Sequence, residues 1–226
     1  MKSVYQEIKE QAYLANMEIP KQNLAIYTWG NVSAVDRSRG VFAIKPSGVP
    51  YDELKVDDMV IVDFEGKKVE GKMNPSSDTP THVELYRRFD DIGGITHTHS
   101  PSAVAWAQAG KCIPILGTTH ADYSAHAIPC TPVLSEQAVK TAYEKETGVI
   151  LAETFLNPSK VNALDVDGNP AKPLVPHENP MCLVAGHGPF TWGKDAMDSV
   201  YHARILEEIA KMAFMTVLIN PKYEYL

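Results

Sequence analysis

Cysteine and long apolar runs are both scarce in this 226-residue sequence. The three cysteines, Cys112, Cys130 and Cys182, are odd in number, and none forms a Cys-x-x-Cys pair. The sequence therefore predicts no disulfide framework and indicates a reducing compartment, for which the cytoplasm fits best. No window reaches the roughly 18 uninterrupted apolar residues of a membrane span, and residues 1–7 lack the apolar core of a signal peptide. We expect a soluble protein with no membrane partner.

Basic residues are in the minority as well. The chain has 21 Lys and Arg residues against 28 Asp and Glu residues, which gives a formal net charge of −7. Nucleic-acid binding requires clustered basic residues that replace counterions, and because no such cluster is present we expect no nucleic-acid partner. A small anionic substrate remains compatible with this charge, since backbone N–H groups or a few cations can surround it. Hydrophobic residues make up 44% of the chain, as in ordinary folded proteins, and the length predicts a single domain over residues 1–226.

Two histidines two positions apart, His97 and His99, end an apolar run at residues 93–99. In a β-strand successive side chains alternate between faces, so both imidazoles leave the same face and could bind one metal ion. The simpler alternative is a pair of hydrogen-bonded histidines at the end of a strand. Further ligands have to come from other segments. The best candidates are Asp78 and His187, each of which lies where a regular element meets a turn.

Five segments carry the apolar periodicity or the capping residues of helices. Asp78 precedes Thr79-Pro80, and a capping residue followed by proline marks a helix start, so the alternative role for Asp78 is a helix cap. Ser100-Pro101 repeats this signal directly after the histidine pair. Residues 149–156 fit either a helix or a strand. The predicted helices are 5–17, ending before Pro20; one beginning near residue 78; one beginning near residue 100; 135–147, ending near Gly148; and 195–218.

Short β-strands account for most of the remaining regular structure. Two of them form a hairpin around Glu65-Gly66. Residues 157–180 contain five prolines and two turns rich in Asn and Asp, which indicates an irregular excursion that is an ordered loop rather than a domain linker. The predicted strands are 24–29, with 32–36 as its hairpin partner, 40–45, 59–64, 67–71, 93–99 and 181–185.

Six motifs together resemble those of the class II aldolase and adducin-head superfamily, and within it the L-ribulose-5-phosphate 4-epimerase family. The resemblance covers roughly residues 1–220, except for 157–180. It implies an α/β fold, a three-layer α/β/α sandwich with a mainly antiparallel central sheet, in a homotetramer whose active sites lie between subunits. The motifs are TWGNVS at 28–33, KPSG at 45–48, PSSDTPTH at 75–82, HTHS at 97–100, GTTHADY at 117–123 and HGPFTWGK at 187–194.

The same resemblance implies a zinc ion held by His97, His99 and His187, with Asp78 as the fourth ligand or a close neighbour. Three imidazoles and a carboxylate suit Zn²⁺ and would tolerate Mn²⁺ or Co²⁺. The resemblance also implies a site for a substrate phosphate, with Lys45 nearby. Small residues at this site admit backbone N–H groups to an anion, and hydroxyls add donors. The phosphate-site residues are Gly30, Asn31, Ser47, Gly48, Ser76 and Ser77; for the two glycines the alternative is simple turn formation.

The reaction that the resemblance implies converts L-ribulose 5-phosphate to D-xylulose 5-phosphate, as in arabinose catabolism. The hydrogen on C4 is not next to the carbonyl, so inversion needs cleavage of the C3–C4 bond to glycolaldehyde phosphate and a metal-bound enediolate, followed by recombination. A proton must be moved on each face of C4. Asp122, in the polar loop 117–123, matches one of these acid–base roles, with a turn-forming Asp as the alternative. Thr118 and Glu144 match supporting positions near the aldehyde.

The sequence departs from the family pattern near its C-terminal end. In the family the opposite acid–base role belongs to a tyrosine in a longer basic tail that reaches a neighbouring subunit. Here Tyr223 or Tyr225 could take its place. Two rival interpretations therefore stay open. One is an aldolase or epimerase that acts on another sugar phosphate, and the other is a non-catalytic adducin-like interaction module. The three histidines and Asp122 favour an enzyme.

Overall fold

The computed structural model describes residues 3–223. Helices and strands alternate irregularly along the chain, and two single-turn 3₁₀ helices lie at Val56–Asp58 and Pro158–Lys160. The α-helices are α1 (Gln6–Lys21), α2 (Thr79–Arg88), α3 (Pro101–Ala109), α4 (Thr118–Ala121), α5 (Glu136–Leu156) and α6 (Ala196–Ile219). The strands are β1 (Asn31–Asp36), β2 (Val41–Ile44), β3 (Val60–Asp63), β4 (Lys68–Glu70), β5 (Gly94–His97), β6 (Met181–Leu183) and β7 (Pro189–Gly193).

One seven-stranded sheet, in the order β4-β3-β2-β1-β5-β7-β6, forms the centre of the fold. All of its neighbouring strands are antiparallel. Side chains alternate between its faces, as strand geometry requires. In β2, Val41 and Ala43 pack with residues of α1 and α6, whereas Phe42 and Ile44 pack with residues of α2 and α5. Helices therefore cover both faces, and the expected three-layer α/β/α sandwich with an antiparallel sheet is confirmed.

The strand register brings three distant segments to one end of the sheet. Asn31, the first residue of β1, lies opposite His97, the last residue of β5. Phe190, at the start of β7, lies opposite His97 on the other side. Because antiparallel neighbours run in opposite directions, the beginnings of β1 and β7 meet the end of β5. The residues just before β7 and just after β5 are thereby neighbours in space.

The helix starts predicted near residues 78 and 100 are confirmed as α2 and α3, and the prediction over 195–218 is confirmed as α6. The predicted end of the first helix before Pro20 is wrong, because α1 continues to Lys21 with Pro20 in its last turn. A proline there removes one intrahelical hydrogen bond and costs less than a proline in the helix interior.

The predicted helix end near Gly148 is also wrong, because α5 runs through this residue to Leu156 and settles residues 149–156 as helix. A Cβ atom on Gly148 would lie 2.7 Å from Glu84 Cβ and 2.9 Å from Thr81 O, both on α2. The glycine therefore allows α5 and α2 to pack closely and does not end the helix. Within α5 only Ala142 leaves helical geometry, with φ −156° and ψ 49°.

The strand predicted at 24–29 is wrong. Leu24 and Ala25 are buried, but Tyr27 has a left-handed φ of 55°, and the N–H of Trp29 donates to Ile26 O within a turn. The segment connects α1 to β1, and β1 pairs instead with β2 and β5. The hairpin around Glu65-Gly66 is confirmed as β3 and β4. The strands predicted at 40–45 and 181–185 are confirmed in shorter form as β2 and β6, whereas β7 was not predicted.

The excursion at residues 157–180 is held against the rest of the chain by hydrogen bonds. The N–H of Leu174 donates to Phe155 O at 2.8 Å, and Trp192 Nε1 donates to Pro176 O at 2.7 Å. These bonds agree with the expected ordered loop. Within residues 3–223, no helix has both the length and the apolar character needed to span a bilayer.

Candidate metal centre and active site

Three imidazoles converge at the end of the sheet where β1, β5 and β7 meet. His97 ends β5, His99 follows it by two residues, and His187 lies in the turn before β7. One ligand nitrogen from each ring can be chosen so that all three lie within 4.8 Å of one another. The ring centroid of His97 lies 4.8 Å from that of His99 and 4.7 Å from that of His187. The strand predicted at 93–99 ends at His97, so the loop after β5, and not strand alternation, brings His99 to this point.

His97 is fixed by two contacts with the start of β7. Its Nδ1–H donates to the backbone carbonyl of Pro189 at 2.9 Å, and its ring stacks on Phe190 with centroids 4.3 Å apart. With the proton on Nδ1, the lone pair lies on Nε2, the arrangement that a metal-binding histidine needs. This Nε2 lies 3.1 Å from Nε2 of His99. Two nitrogens bound to one tetrahedral zinc at about 2.0–2.1 Å are about 3.3 Å apart, so this spacing fits a shared cation.

His187 distinguishes a metal site from a simple pair of hydrogen-bonded histidines. Its Nδ1 is buried and has no hydrogen-bond partner among residues 3–223. A buried polar atom without a partner is unfavourable by roughly 1–3 kcal/mol, and ordinary structures avoid it. His82 Nε2 and His120 Nδ1 are also buried without a partner among these residues, so the orphaned nitrogen alone does not identify a metal site. The third ring itself does, because its centroid lies 4.7 Å from that of His97 and 5.5 Å from that of His99, an arrangement that a hydrogen-bonded pair does not require.

The protonation states of the cluster also suit metal binding. Burial, followed by the neighbouring His97, lowers the pKa of His99 to about 4. Burial and the same neighbour lower the pKa of His187 to about 4. Both rings are therefore neutral near pH 7, and only neutral imidazoles bind a metal. The donor set of this site fits a divalent cation such as zinc.

Asp78 lies beside the histidine cluster and supplies a negatively charged carboxylate. It occupies the position before α2, but its side chain makes no capping hydrogen bond, so the helix-cap alternative is not supported. Instead its Oδ2 accepts a hydrogen bond from Asn31 Nδ2 at 2.7 Å. Burial acts to raise the pKa of Asp78, but His97, His82 and the Asn31 hydrogen bond outweigh it and hold the pKa below the usual value. Asp78 is not among the ligand atoms that lie within 4.8 Å of one another, and direct coordination by Asp78 stays a prediction.

The residues predicted to bind phosphate come from loops that the backbone holds together. Ser47 N–H donates to Asn74 O, and Ser76 N–H donates to Lys45 O, each at 3.0 Å. Ser76 Oγ accepts from the N–H of Asp78, which Asn31 also contacts. Ser47, Gly48 and Ser77 are exposed. These contacts hold segments 45–48 and 74–78 together and join Asn31 to Asp78, and we call this group of residues the rim. The hydroxyls of Ser47 and Ser77 are open to solvent.

Lys45 lies beneath this rim and is 1% exposed. Its Nζ donates to Thr28 O at 3.3 Å and lies 5.0 Å from the centre of the Tyr51 ring. None of the ion pairs within residues 3–223 includes Lys45. Burial lowers its pKa to about 8. An anion on the rim would supply the counter-charge that this lysine lacks.

Glycine is required at position 30 for close packing as well as for turn formation. Its φ of +75° is left-handed, and a Cβ atom at this position would lie 2.8 Å from the carbonyl oxygen of His97. Gly48 also has a positive φ, of +71°, but a Cβ atom there would meet nothing within 4 Å. For Gly48 the turn alternative is sufficient, whereas Gly30 allows the TWGNVS segment to approach the end of β5.

Thr118 and Asp122 lie apart from the histidines in the network of polar contacts. Residues 117–123, expected as a loop, contain the short helix α4, and Asp122 follows it with its N–H donating to Thr118 O. Both side chains are exposed. No hydrogen bond or ion pair within residues 3–223 joins the Asp122 carboxylate to the histidine cluster.

Tyr223 and Tyr225, considered for the family's catalytic tyrosine, stay predictions, because that tyrosine acts on a neighbouring subunit. Tyr223 lines a cavity of about 470 Å³ together with Lys111, Cys112 and Asn162, and none of the three histidines borders this cavity. Tyr225 lies outside the described residues. Glu144 contacts α2 through its backbone, since its carbonyl accepts from Thr81 Oγ1 at 2.6 Å.

Two residues near the histidines, Tyr143 and His82, and a carboxylate at the start of α3, Glu207, were not assigned a role from the sequence. Tyr143 places its ring centroid 5.7 Å from that of His187. His82 is fully buried, and Glu207 accepts the N–H groups of Ser102 and Ala103 at the start of α3, each at 2.9 Å. His82 stood within the motif PSSDTPTH, which was a usable signal. Tyr143 and Glu207 lie on helices whose periodicity carries no information about the site.

Comparison with known proteins gives one family and several solved structures. The family model described as Class II Aldolase and Adducin N-terminal domain matches residues 10–214. An L-fuculose 1-phosphate aldolase structure superposes with a TM-score of 0.77 at 23% identity, covering 100% of this chain and 92% of that one. YgbL from Klebsiella pneumoniae gives 0.72 at 18% identity, covering 100% and 96%. L-Fuculose-1-phosphate aldolase from Thermus thermophilus gives 0.66 at 23% identity, covering 97% and 98%. At these identities the likeness concerns the fold.

Proposed function

This chain belongs to the class II aldolase and adducin N-terminal domain family, and we propose that it is a metal-dependent epimerase that converts L-ribulose 5-phosphate to D-xylulose 5-phosphate. One observation carries the proposal. Three imidazoles gather around one point, beside a rim that carries exposed hydroxyls and a buried lysine with no ion pair within residues 3–223. This arrangement supports a site that holds a cation at one end of a sugar phosphate and the phosphoryl group at the other.

The cation would be held by His97, His99 and His187, with Asp78 as the fourth ligand or the adjacent charge. Zinc suits three neutral imidazoles, and Mn²⁺ or Co²⁺ could replace it. When bound, such an ion supplies a Lewis acid that stabilises negative charge on sugar oxygens by several kcal/mol.

The phosphoryl end of the substrate would bind on the rim formed by Gly30, Asn31, Ser47, Gly48, Ser76 and Ser77. Exposed hydroxyls would donate to phosphate oxygens there, beside the positive end of the α2 dipole. Lys45 lies below the rim with its pKa lowered to about 8. A phosphate dianion nearby would favour the charged form of this lysine, so substrate binding and protonation of Lys45 support each other.

Inversion at C4 requires two proton transfers by groups of the protein. Removing the proton from the C4 hydroxyl breaks the C3–C4 bond and releases glycolaldehyde phosphate, while the electron pair stays on the three-carbon fragment. After the aldehyde presents its other face, the bond reforms and a donor on the opposite side protonates the C4 oxygen. Asp122 is proposed for one of these transfers, and its exposed position suits an active site completed by a neighbouring subunit of a homotetramer. Thr118 would bind the aldehyde near it.

A second function, aldol cleavage of another sugar phosphate, has its own support. Two of the structures compared are named L-fuculose 1-phosphate aldolases. A non-catalytic interaction module is disfavoured, because such a role gives no reason for three imidazoles with ligand nitrogens within 4.8 Å of one another.

The decisive experiment combines metal analysis with product analysis. Zinc-loaded protein is incubated with L-ribulose 5-phosphate, and D-xylulose 5-phosphate is measured beside free glycolaldehyde phosphate; L-fuculose 1-phosphate is tested in parallel. We expect D-xylulose 5-phosphate to form only with the metal-loaded protein. Accumulation of free aldehyde, or turnover of L-fuculose 1-phosphate alone, would favour the aldolase. Full activity after removal of the metal would contradict both functions.

A further inference from the structure

Helix α5 is interrupted one residue before it reaches the histidine cluster. Ala142 has φ −156° and ψ 49°, and the residues on both sides of it are helical. A break of this kind changes the direction of the helix and with it the direction of the side chains that follow. The first side chain after the break is Tyr143.

The segment after the break is held firmly against α2. The carbonyl of Glu144 accepts a hydrogen bond from Thr81 Oγ1 at 2.6 Å. Four residues later, Gly148 packs so closely that a Cβ atom would lie 2.9 Å from Thr81 O. Asp78 lies directly before α2. The backbone around Tyr143 is therefore fixed relative to the same helix that positions Asp78.

Tyr143 directs its ring at His187. The two ring centroids are 5.7 Å apart with an angle of 45° between the planes. Burial, followed by the charges of Asp78 and Glu144, raises the pKa of Tyr143 above its usual value. The phenol therefore stays protonated and can donate a hydrogen bond.

Among the described residues, three aromatic side chains other than histidine contact the rings of the cluster. They are Trp29 on His99, Phe190 on His97 and Tyr143 on His187. Of these three only Tyr143 has a hydroxyl group. Tyr223, the described candidate for the missing acid–base tyrosine, lines a cavity that none of the three histidines borders.

We propose that Tyr143 is a substrate-contacting residue whose hydroxyl donates a hydrogen bond to a sugar oxygen held between His187 and Asp78. This inference rests on the proposed function, because it places a sugar phosphate at the histidine cluster. A neutral donor at this point stabilises the negative charge that develops on the sugar when the C3–C4 bond breaks. The role needs no ionisation of the tyrosine.

The test removes only the hydroxyl, with Tyr143→Phe in the zinc-loaded protein. Tyr13→Phe, a matched loss of a phenol on α1, is the control. We expect Tyr143→Phe to keep wild-type zinc content and thermal midpoint while kcat falls by about 10²-fold or more, the loss typical of a removed oxyanion donor. Tyr13→Phe keeps wild-type kcat. If Tyr143→Phe retains wild-type kcat per bound zinc, or loses zinc and activity in proportion, the assignment is wrong.

Calorimetric titration with L-ribulose 5-phosphate separates this inference from the proposed function. Loss of one neutral hydrogen bond weakens binding by about 2- to 10-fold, so we expect that reduction in Tyr143→Phe and none in Tyr13→Phe. If the wild-type protein binds the sugar phosphate without converting it, the proposed epimerase function fails while weaker binding by Tyr143→Phe still supports the assignment. Equal turnover of wild type and Tyr143→Phe, whatever their affinities, would overturn the assignment and leave the epimerase function standing.

Discussion

At the scale of single residues, His97 shows how a ligand can be oriented before a metal binds. Its Nδ1–H donates to a backbone carbonyl, that of Pro189, and its ring lies flat on Phe190. A backbone acceptor cannot be lost by side-chain substitution, so the tautomer of His97 is fixed by the fold. His187 has no comparable partner for its buried Nδ1 among the described residues. We therefore expect the orientation of the His187 ring to depend more on the bound cation than that of the His97 ring, although both rings contribute to binding.

Substitution of either ligand should remove the metal. We expect His97→Asn and His187→Asn to lower bound zinc to well below one ion per chain, because the remaining two imidazoles no longer complete a tetrahedral set. Zinc per chain is measured by elemental analysis after gel filtration. His177→Asn changes an exposed histidine that pairs with Asp91 on the surface and should leave the zinc content unchanged. Wild-type zinc content in both ligand variants would contradict the site.

His82 should make stability depend on pH. It is fully buried, its Nδ1 lies 2.7 Å from Ser33 Oγ, and burial lowers its pKa from 6.5 to about 3. Between these values the unfolded chain binds a proton on His82 that the folded protein does not bind. The free energy of unfolding therefore falls as pH falls below 6.5, by up to about 1.4 kcal/mol per pH unit from this residue.

This contribution can be isolated with His82→Gln, which stays neutral at every pH. Urea unfolding of the metal-free protein is followed between about pH 6.5 and pH 4, where protonation of His82 is coupled to unfolding. We expect a shallower loss of stability in His82→Gln than in wild type, while His126→Gln, which changes an exposed histidine, keeps the wild-type slope. The other buried histidines titrate in all three proteins and cancel in the comparison. Equal slopes in wild type and His82→Gln would show that His82 does not resist protonation.

At the scale of helices and strands, the elements predicted correctly are those with local signals. The hairpin around Glu65-Gly66 and helix α6 follow from turn residues and apolar periodicity within the segment itself. Gly148 looked like a helix end because the sequence does not show that α2 lies against it. The apolar segment 24–29 looked like a strand, although its left-handed Tyr27 and its place between α1 and β1 exclude it from the sheet. Both errors come from tertiary packing that overrides local preference.

The candidate site divides in the same way. Residue type and motif were enough to select the four candidate ligands His97, His99, His187 and Asp78, because histidine and aspartate are metal-binding residue types. Tyr143 could not be selected in this way, since its contact with His187 depends on the break at Ala142 and on the packing of α5 against α2. The sequence thus indicates which groups carry the chemistry, and the fold decides which helix reaches them.

The connection between residue 24 and β1 should be intolerant of a methyl group at one glycine. Gly30 and Gly40 both have positive φ, of +75° and +65°, but a Cβ atom would lie 2.8 Å from His97 O at Gly30 and would meet nothing within 4 Å at Gly40. Alanine in a left-handed conformation costs roughly 1–2 kcal/mol. We expect Gly40→Ala to lose about that much stability, and Gly30→Ala to lose more and also to bind zinc more weakly.

Urea unfolding and zinc titration of the two variants measure this difference. Both variants place alanine in a left-handed conformation, so this strain is common to the two. The additional loss of stability in Gly30→Ala therefore measures the close approach of residue 30 to the end of β5. Equal losses of stability with unchanged zinc affinity would mean that the TWGNVS segment can shift away from His97 without consequence for the metal site.

At the scale of the whole molecule, one chain supplies the histidine cluster but leaves Asp122 exposed and, within residues 3–223, without a hydrogen bond or ion pair to it. The second half of α6 also exposes large apolar side chains, among them Phe214 at 53%, Leu218 at 64% and Ile219 at 84%. Large apolar side chains grouped on a surface indicate a contact with another protein. Both features suit the proposed homotetramer, in which the Asp122 of one subunit reaches the histidines of another.

Mixed oligomers test whether sites are shared between subunits. We expect His97→Asn and Asp122→Asn chains each to be nearly inactive alone. When they are coexpressed in equal amounts, roughly one quarter of shared sites should receive an intact histidine cluster from one chain and an intact Asp122 from its neighbour, as random assembly in a symmetric oligomer requires. We expect epimerase activity to return to about that fraction of the wild-type value. The matched control coexpresses His97→Asn with His187→Asn. Both of these residues belong to the cluster of a single chain, so no combination restores a site and no activity should return. Recovery in the control would contradict a cluster built from the histidines of one chain, whereas absence of recovery in both pairs would place Asp122 in the site of its own chain.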